Sequence, residues 1–358
     1  MSRLHNFSAG PALLPVPVLE EVRDNLLDFD GTGLGAMEYS HRSARFEEVI
    51  ETARQRLRRI LSLSDDQEVL FLHGGAKSQF FMVPMNLLRG ARATYLDTGT
   101  WAHLAAVEAE RFGTVDQPFS SKAAGYRSVP ASGSWGPLPE GTAYLHYTSN
   151  NTVAGTQYHY VPQADVPLGC DMSSDIASRP MDGSRFDLIY AGAQKNLGPS
   201  GLAVVVIRKS LLEQCDTNLP MMLRYDVHVK KGSMYNTPNT WAIYVMERVL
   251  AWIEDQGIEA VGARNEAQAK RLYDALDASE LFAPRAEPGS RSWMNPTFTS
   301  GDDALDTRFW KAAAAEGLVG LKGHRLVGGL RASLYNAQTD EAVDALVDFL
   351  RTFERNHG

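Results

Sequence analysis

A chain of 358 residues is long for one compact core and suits about two domains of about 150 residues each. Hydrophobic residues make up 44% and charged residues 22%, a globular balance that excludes disorder as a description of the whole. With Lys+Arg 35 against Asp+Glu 43, the net charge of −8 excludes nucleic-acid binding through overall charge, so any anionic ligand needs a local basic cluster.

In chain order, Asn6-Phe7-Ser8-Ala9-Gly10-Pro11 reads as a turn-rich lead-in to two amphipathic helices. In the second, Phe46, Val49, Ile50, Ala53, Leu57, Ile60 and Leu61 recur at helical spacing between Glu and Arg residues. Six short apolar runs follow, at 69–72, 93–96, 143–147, 168–171, 188–191 and 202–207, each ended by glycine or polar residues. Runs that are continuous rather than alternating predict strands buried on both faces, hence a mainly parallel sheet in an α/β domain. A helix over 240–255 should stop at Gly257. Beyond it the rhythm changes: a helix at 260–276, a Pro/Gly/Ser-rich turn at 284–292, a strand at 294–298, a helix at 304–316, an apolar stretch at 330–334 and a final helix at 339–353. That order predicts a smaller α+β domain from 258 onward, after a large domain over 14–257, with 1–13 joining the small one.

The start, Met1 to Asn6, lacks the apolar core of a signal peptide. The longest aliphatic run, 202–207, falls far short of the roughly 20 residues that cross a bilayer. Cys170 and Cys215 are too few for a disulfide framework or a four-thiolate metal site. A cytoplasmic protein with no membrane association and no metal is therefore expected; the nine histidines form no H-E-x-x-H pair, and no G-x-S-x-G elbow is present.

Lys195 carries the strongest chemical signal. It stands in Ala193-Gln194-Lys195-Asn196-Leu197-Gly198, a glycine-bounded connection between two predicted buried strands. A lysine there is either a paired structural residue or an amine whose pKa is lowered for Schiff-base chemistry. Asp171 ends a predicted strand 24 residues earlier, where α/β sheets collect ligands. It suits the pyridine nitrogen of an imine-bound pyridoxal phosphate, which needs a carboxylate partner. It equally suits a helix N-cap ahead of Ser173 and Ser174. At His73-Gly74-Gly75-Ala76-Lys77-Ser78-Gln79-Phe80 a strand, a double glycine and a helix start offer backbone donors to a phosphate, or form an ordinary tight turn. The nucleotide P-loop is excluded, because Ala76 stands where that motif needs a glycine before its lysine. Trp101 and Thr152 each follow a strand and suit stacking on, and hydrogen bonding to, a planar cofactor, though most tryptophans are core. Basic residues gather at His41-Arg42 and at Lys322-Gly323-His324-Arg325, with Arg331 on a predicted strand. An unpaired guanidinium there is costly, so Arg331 awaits either a ligand carboxylate or a structural salt bridge.

In combination these segments resemble the phosphoserine aminotransferase family, fold-type I enzymes dependent on pyridoxal phosphate. The resemblance runs nearly end to end. It takes in residues 6–12, Met37-Glu38-Tyr39-Ser40-His41-Arg42, the 73–80 turn, Tyr190 to Asn196, Gly232-Ser233-Met234-Tyr235-Asn236-Thr237-Pro238, Lys322-Gly323-His324-Arg325 and residues 331–337. Family members often carry Gly-Gly-Gly-Arg-Gly-Gln-Phe at the phosphate turn, where this chain has Gly-Gly-Ala-Lys-Ser-Gln-Phe.

The resemblance implies a large domain with a mainly parallel seven-stranded sheet flanked by helices, a smaller α+β domain, and one pyridoxal 5'-phosphate per subunit. It implies that Lys195 binds the cofactor as an imine and moves the substrate proton, and that Asp171 pairs with the ring nitrogen. Trp101 would stack on the ring, Thr152 and Gln194 would bond cofactor oxygens, and Ala76 and Lys77 would hold the phosphate. Asn236 and Thr237 would reach that phosphate from the other subunit of a homodimer with shared active sites. Arg331 would bind the substrate α-carboxylate, with His41, Arg42, His324 and Arg325 receiving the distal phosphate or carboxylate. The implied reaction takes the amino group of L-glutamate to 3-phosphohydroxypyruvate, giving 2-oxoglutarate and O-phospho-L-serine; 4-phosphohydroxy-L-threonine formation is the implied second activity. The rivals are another pyridoxal-phosphate reaction, such as glyoxylate transamination or cysteine desulfuration, and a non-catalytic protein that binds the cofactor or a phosphometabolite. Desulfuration wants a mobile cysteine, which neither Cys170, inside a predicted strand, nor Cys215 offers.

Overall fold

The structure is a computed structural model that describes residues 3–357. Its central sheet has seven strands: β1 (Gln67–His73), β2 (Arg92–Tyr95), β3 (Thr114–Asp116), β4 (Thr142–Thr148), β5 (Leu168–Asp171), β6 (Leu188–Gly192) and β7 (Leu202–Arg208). They lie in the order β1-β7-β6-β5-β4-β2-β3, and only the β7 pairings, with β1 and β6, are antiparallel. The continuous apolar runs arise because each strand feeds two cores. Val204 and Val206 face one hydrophobic cluster while Val205 and Ile207 face another, and Val69 and Phe71 alternate with Leu70 and Leu72 in the same way.

Helices α1 (Val16–Asp24), α2 (Ala44–Ile60) and α7 (Thr240–Gln256) cover one face. Ser43 caps α2 by accepting from Phe46 N at 3.3 Å, and Gly257 ends α7 at φ +77°, a conformation glycine adopts without strain. Helices α3 (Ala76–Leu87) and α4 (Thr100–Ala109) cover the other face, with the short α5 (Lys209–Leu212) and α6 (Tyr225–Lys230) at the β1–β7 side.

After Gly257 the chain forms α8 (Ile258–Asp277), β8 (Ala283–Pro284), β9 (Thr297–Thr299), α9 (Asp303–Ala315), β10 (Leu330–Arg331) and α10 (Asp340–His357). The three strands pair antiparallel in that order. Their core is a separate cluster built around Leu272, Phe282, Phe298, Phe309, Leu346 and Phe353, which Phe7 joins from the start of the chain. His5–Asn6 reaches it by pairing parallel with Leu318–Val319.

Two elements differ from expectation. The edge strand β3 has no apolar run to announce it: Thr114 is exposed and Val115 and Asp116 are half-buried, since nothing pairs beyond the edge. The strand expected at 294–298 begins only at Thr297, because Pro296 has no amide hydrogen and the Asn295 side chain is taken up in a buried polar network. Among the described residues, no helix is long and apolar enough to cross a membrane.

Candidate active site

A cavity of about 290 Å³ opens at the carboxyl ends of β4 and β5, where parallel strands of α/β sheets leave room for ligands. Of the residues singled out in the sequence, Ala76, Lys77, Trp101, Thr152, Asp171, Gln194 and Lys195 line it. So do Gly75, from the double glycine, and Phe80, Thr148, Asn150, Ser173 and Ser174, which the sequence does not single out for this site.

Lys195 sits in the turn from β6 to β7, closed by Ala193 N to Leu202 O at 2.9 Å and Gly198 N to Ala193 O at 2.8 Å. Gly198 stands at φ +159°, and a Cβ there would lie 3.3 Å from the Met246 Cα, so α7 presses directly on the turn. From the other side the lead-in closes the cavity: Ala12 N donates to Gln194 O at 2.9 Å, and a side chain at Gly10 would meet both Gln194 and Lys195. Held in this way, the Lys195 ammonium donates to Thr152 Oγ1 at 2.7 Å. Burial brings its pKa down from 10.5 to about 8; Asp171 opposes the shift, Arg331 adds to it and Asp175 opposes it. At pH 7 about one molecule in ten then carries a neutral, nucleophilic amine, against roughly one in three thousand for an ordinary lysine.

Asp171 is 3% exposed, and its Oδ1 accepts from Ser173 N at 2.9 Å. It caps the turn that follows β5, where no helix forms, and it lines the cavity as well. Burial raises its pKa, and the Ser173 hydrogen bonds and Lys195 pull it back.

The amide end of α3 faces the same space. Gly75, at its N-cap, has no side chain to offer the first turn; Ser78 N donates to Gly75 O at 3.0 Å, and the amides of Ala76 and Lys77 have no partner within the helix. The Lys77 ammonium lies 5.4 Å from the centre of the Trp101 ring, and His324 meets the same indole edge-on at 6.4 Å. Gly99, the residue before α4, has to be glycine: a Cβ would come within 2.3 Å of Asn151 Oδ1.

Arg331 comes in from β10. Its Nη1 donates to Thr152 O at 3.3 Å, its Nε is buried without a partner, and among the described residues it forms no ion pair. The alternative of a structural salt bridge is therefore corrected: the guanidinium is half-buried with donors to spare. His324 and Arg325 lie on the glycine-rich turn just before β10, half-buried and exposed respectively. Arg331, His324 and Arg325 stand beside the cavity without lining it, and His41 and Arg42, ahead of α2, and Asn236 and Thr237, ahead of α7, do not line it either. Arg42, Asn236 and Thr237 are exposed, and Thr237 O bonds His73 Nε2 at 2.9 Å. Cys170 and Cys215 are buried free thiols whose pKa values burial pushes up, to about 12 for Cys215.

The donors present fit pyridoxal phosphate: an amine of lowered pKa, a buried carboxylate, an aromatic wall, and free amides beside a cation. Comparison with known proteins gives the same assignment. The class-V aminotransferase family profile matches residues 4–346. The chain is 49% identical to the phosphoserine aminotransferase of Desulfatibacillum aliphaticivorans over 100% of this chain and 99% of that protein. It is 50% identical to that of Geobacillus kaustophilus, over 99% of both. The solved phosphoserine aminotransferase from Bacillus circulans subsp. alkalophilus superposes with a TM-score of 0.97 at 47% identity, covering 99% of each chain. The pyridoxal-phosphate-bound enzyme from Trichomonas vaginalis superposes with a TM-score of 0.93 at 38% identity, covering 98% of this chain and 100% of that one. Matched by the family profile over residues 4–346 and by relatives about half identical end to end, this chain belongs to the phosphoserine aminotransferase family of class-V aminotransferases.

Proposed function

We propose that the chain transfers the amino group of L-glutamate to 3-phosphohydroxypyruvate, releasing 2-oxoglutarate and O-phospho-L-serine, with pyridoxal phosphate held at Lys195. The observation that carries this reading is the buried Lys195 amine, with a pKa near 8, sharing one cavity with Asp171 and the amide end of α3. Bound pyridoxal phosphate supplies an aldehyde to carry the amino group and an electron sink that makes the substrate α-hydrogen acidic.

The chain's own groups do the rest. Lys195 offers a neutral amine at working pH and, once displaced by substrate, takes the α-hydrogen and returns it. Thr152 Oγ1, 2.7 Å from Nζ, holds that amine in the cofactor-free chain and is placed to hydrogen-bond a cofactor oxygen once Lys195 carries the cofactor. Asp171 keeps a proton on the ring nitrogen. The first amides of α3, at Ala76 and Lys77, together with the Lys77 ammonium, bind the cofactor phosphate, while Trp101 stacks on the ring and Gln194 donates to a ring oxygen. Arg331 turns its unused N–H groups to the substrate α-carboxylate, which supports the same orientation for both amino acids. His324 and Arg325 receive the distal anion, phosphate or carboxylate, since cationic donors accept both.

His41, Arg42, Asn236 and Thr237 belong to the site of a second copy, making a homodimer with shared active sites. Supporting this are the exposure of Arg42, Asn236 and Thr237 and the exposed apolar side chains of Leu27, Leu34, Met37 and Met221 on neighbouring segments. The same reading divides the chain into a large domain over 14–257 and a small one over 258–358 with 1–13, supported by the separate core around Phe309. The free thiols of Cys170 and Cys215 support a cytoplasmic location.

The test is a coupled assay of purified protein with glutamate and three acceptors: 3-phosphohydroxypyruvate, the four-carbon phosphorylated oxoacid that leads to 4-phosphohydroxy-L-threonine, and an unphosphorylated oxoacid. Turnover with the first and little with the last supports the reading. Equal turnover with the unphosphorylated acid contradicts it.

A further inference from the structure

Behind the sheet, on the side away from the cavity, a second carboxylate is tied to the one that faces the cofactor. Asp171 ends β5 opposite Thr148, the last residue of β4, and Ser149 follows directly. Ser149 N donates to Asp171 O at 3.0 Å, and Ser149 Oγ lies 3.1 Å from the same carbonyl. The same Oγ is hydrogen-bonded to Asp175 Oδ1. The other oxygen of Asp175 accepts from Gln157 Nε2 at 3.2 Å and lies 3.9 Å from Arg179 Nη2. Ser149 is 5% exposed and Asp175 7%. A buried carboxylate is costly unless paired and hydrogen-bonded, and this one has two hydrogen-bond donors and an ion-pair partner although it is outside the cavity. The titratable and charged groups facing it are Arg179 on its own turn, Tyr147 of β4, Cys170 and Asp171 of β5, His159 beside it, and Lys195 from the β6–β7 turn.

We propose that Asp175 is a positioning residue for Asp171: it holds the Ser149 hydroxyl, and through Ser149 the backbone of Asp171, and its negative charge favours the protonated state of the cofactor nitrogens held by Lys195 and Asp171. The proton count fits. Burial raises the Asp175 pKa, and Arg179, Ser149, Gln157 and Lys195 pull it back. One hydroxyl hydrogen has two acceptors in reach, and the carboxylate, when ionised, outcompetes a backbone carbonyl, leaving the Ser149 N–H to serve Asp171 O. Burial without a carboxylate at 175 would lower the proton affinity at Lys195 further, since Asp175 is one of the two groups opposing that shift.

Charge and link can be removed separately. Asp175→Asn deletes the charge and keeps an acceptor for Ser149, whereas Ser149→Ala keeps the charge and deletes the link. This inference rests on the reading that Lys195 carries pyridoxal phosphate, and it is tested on the holoenzyme by titrating the visible absorbance of the Lys195–cofactor linkage with pH and by measuring cofactor release. Asp175→Asn should move the midpoint down by about half a pH unit, the scale of one unit charge acting through a medium between protein and water. Ser149→Ala should leave the midpoint within about 0.2 unit and release cofactor about fivefold faster, the equivalent of one hydrogen bond. An unmoved midpoint in Asp175→Asn overturns the electrostatic role. Wild-type cofactor retention in Ser149→Ala overturns the link, and decides it even if Asp175→Asn does not fold. A wild-type holoenzyme with no visible imine band overturns the Lys195 reading itself, a result distinct from a normal band that the variants leave unchanged.

Discussion

Arg331→Met isolates what the unpaired guanidinium contributes. Arg331 reaches Thr152 on the cavity wall, with Nη1 spent on Thr152 O and Nε buried without a partner, so a substrate carboxylate would gain two charge-assisted hydrogen bonds there. Each such bond contributes about 1.5–3 kcal/mol, and deleting one partner of a buried pair costs about 3–5 kcal/mol. At about 1.4 kcal/mol per factor of ten, kcat/KM should fall by roughly 10²- to 10⁴-fold. Both half-reactions should suffer alike, because glutamate and phosphoserine share the α-carboxylate and differ at the other end. Stopped-flow conversion of the bound cofactor with each amino acid reads this directly. Arg331→Lys should recover only part, since an ammonium keeps the charge and loses the fork. A second readout checks the electrostatics. Arg331 depresses the Lys195 pKa, so its removal should move the apoprotein's amine upward from about 8. The reasoning is refuted if both half-reactions stay within threefold of wild type, or if one falls while the other is untouched.

Other consequences are independent of that one. Lys195→Ala should abolish turnover and the visible imine band together while leaving the far-UV circular dichroism unchanged. Asn295→Ala removes an amide bonded to Asn150, Ser333 and Tyr335 in the core between the two clusters, and should cost about 2–4 kcal/mol in denaturant unfolding as those partners lose their hydrogen bonds. Gly99→Ala puts a methyl group 2.3 Å from the buried Asn151 amide, so a loss of about 1–3 kcal/mol is expected, with weaker cofactor retention because Trp101 lies on the same turn. His146 is buried between Tyr95 and Tyr190, with its pKa lowered by burial from 6.5 to about 3. The unfolded chain therefore takes up the proton first, and stability should fall by up to about 1.4 kcal/mol per pH unit as pH drops from about 6.5 toward 3. His146→Gln should flatten that limb of the unfolding profile.

The sequence carried the parts of this molecule that depend on burial from two sides. Runs such as 202–207 could only be strands with a core on each face, whereas β3, at an edge with Thr114 in solvent, had no need of apolar residues and left no mark. Lys195 and Asp171 were legible because a lysine or an aspartate at the end of a buried strand is costly, and cost points to use. Thr148, Asn150, Ser173 and Ser174 are small polar residues found in any turn, and their place on the cavity wall follows only from how β4 and β5 lie side by side. The two readings of Asp171, cap and cofactor partner, could not be separated in one dimension: only the fold shows that a turn rather than a helix follows it, and that the carboxylate capping this turn also lines the cavity. Arg331 announced that it lacked a partner, but only the packing of β10 against Thr152 shows which of its nitrogens remain free.

Borohydride reduction of the holoenzyme followed by peptide mass mapping tests the covalent anchor most directly. The account predicts a single phosphopyridoxyl adduct, on the peptide that contains Lys195, and its loss when the enzyme is first exposed to glutamate. An adduct on Lys77 or any other lysine, or none at all in a protein that still turns over, would contradict it.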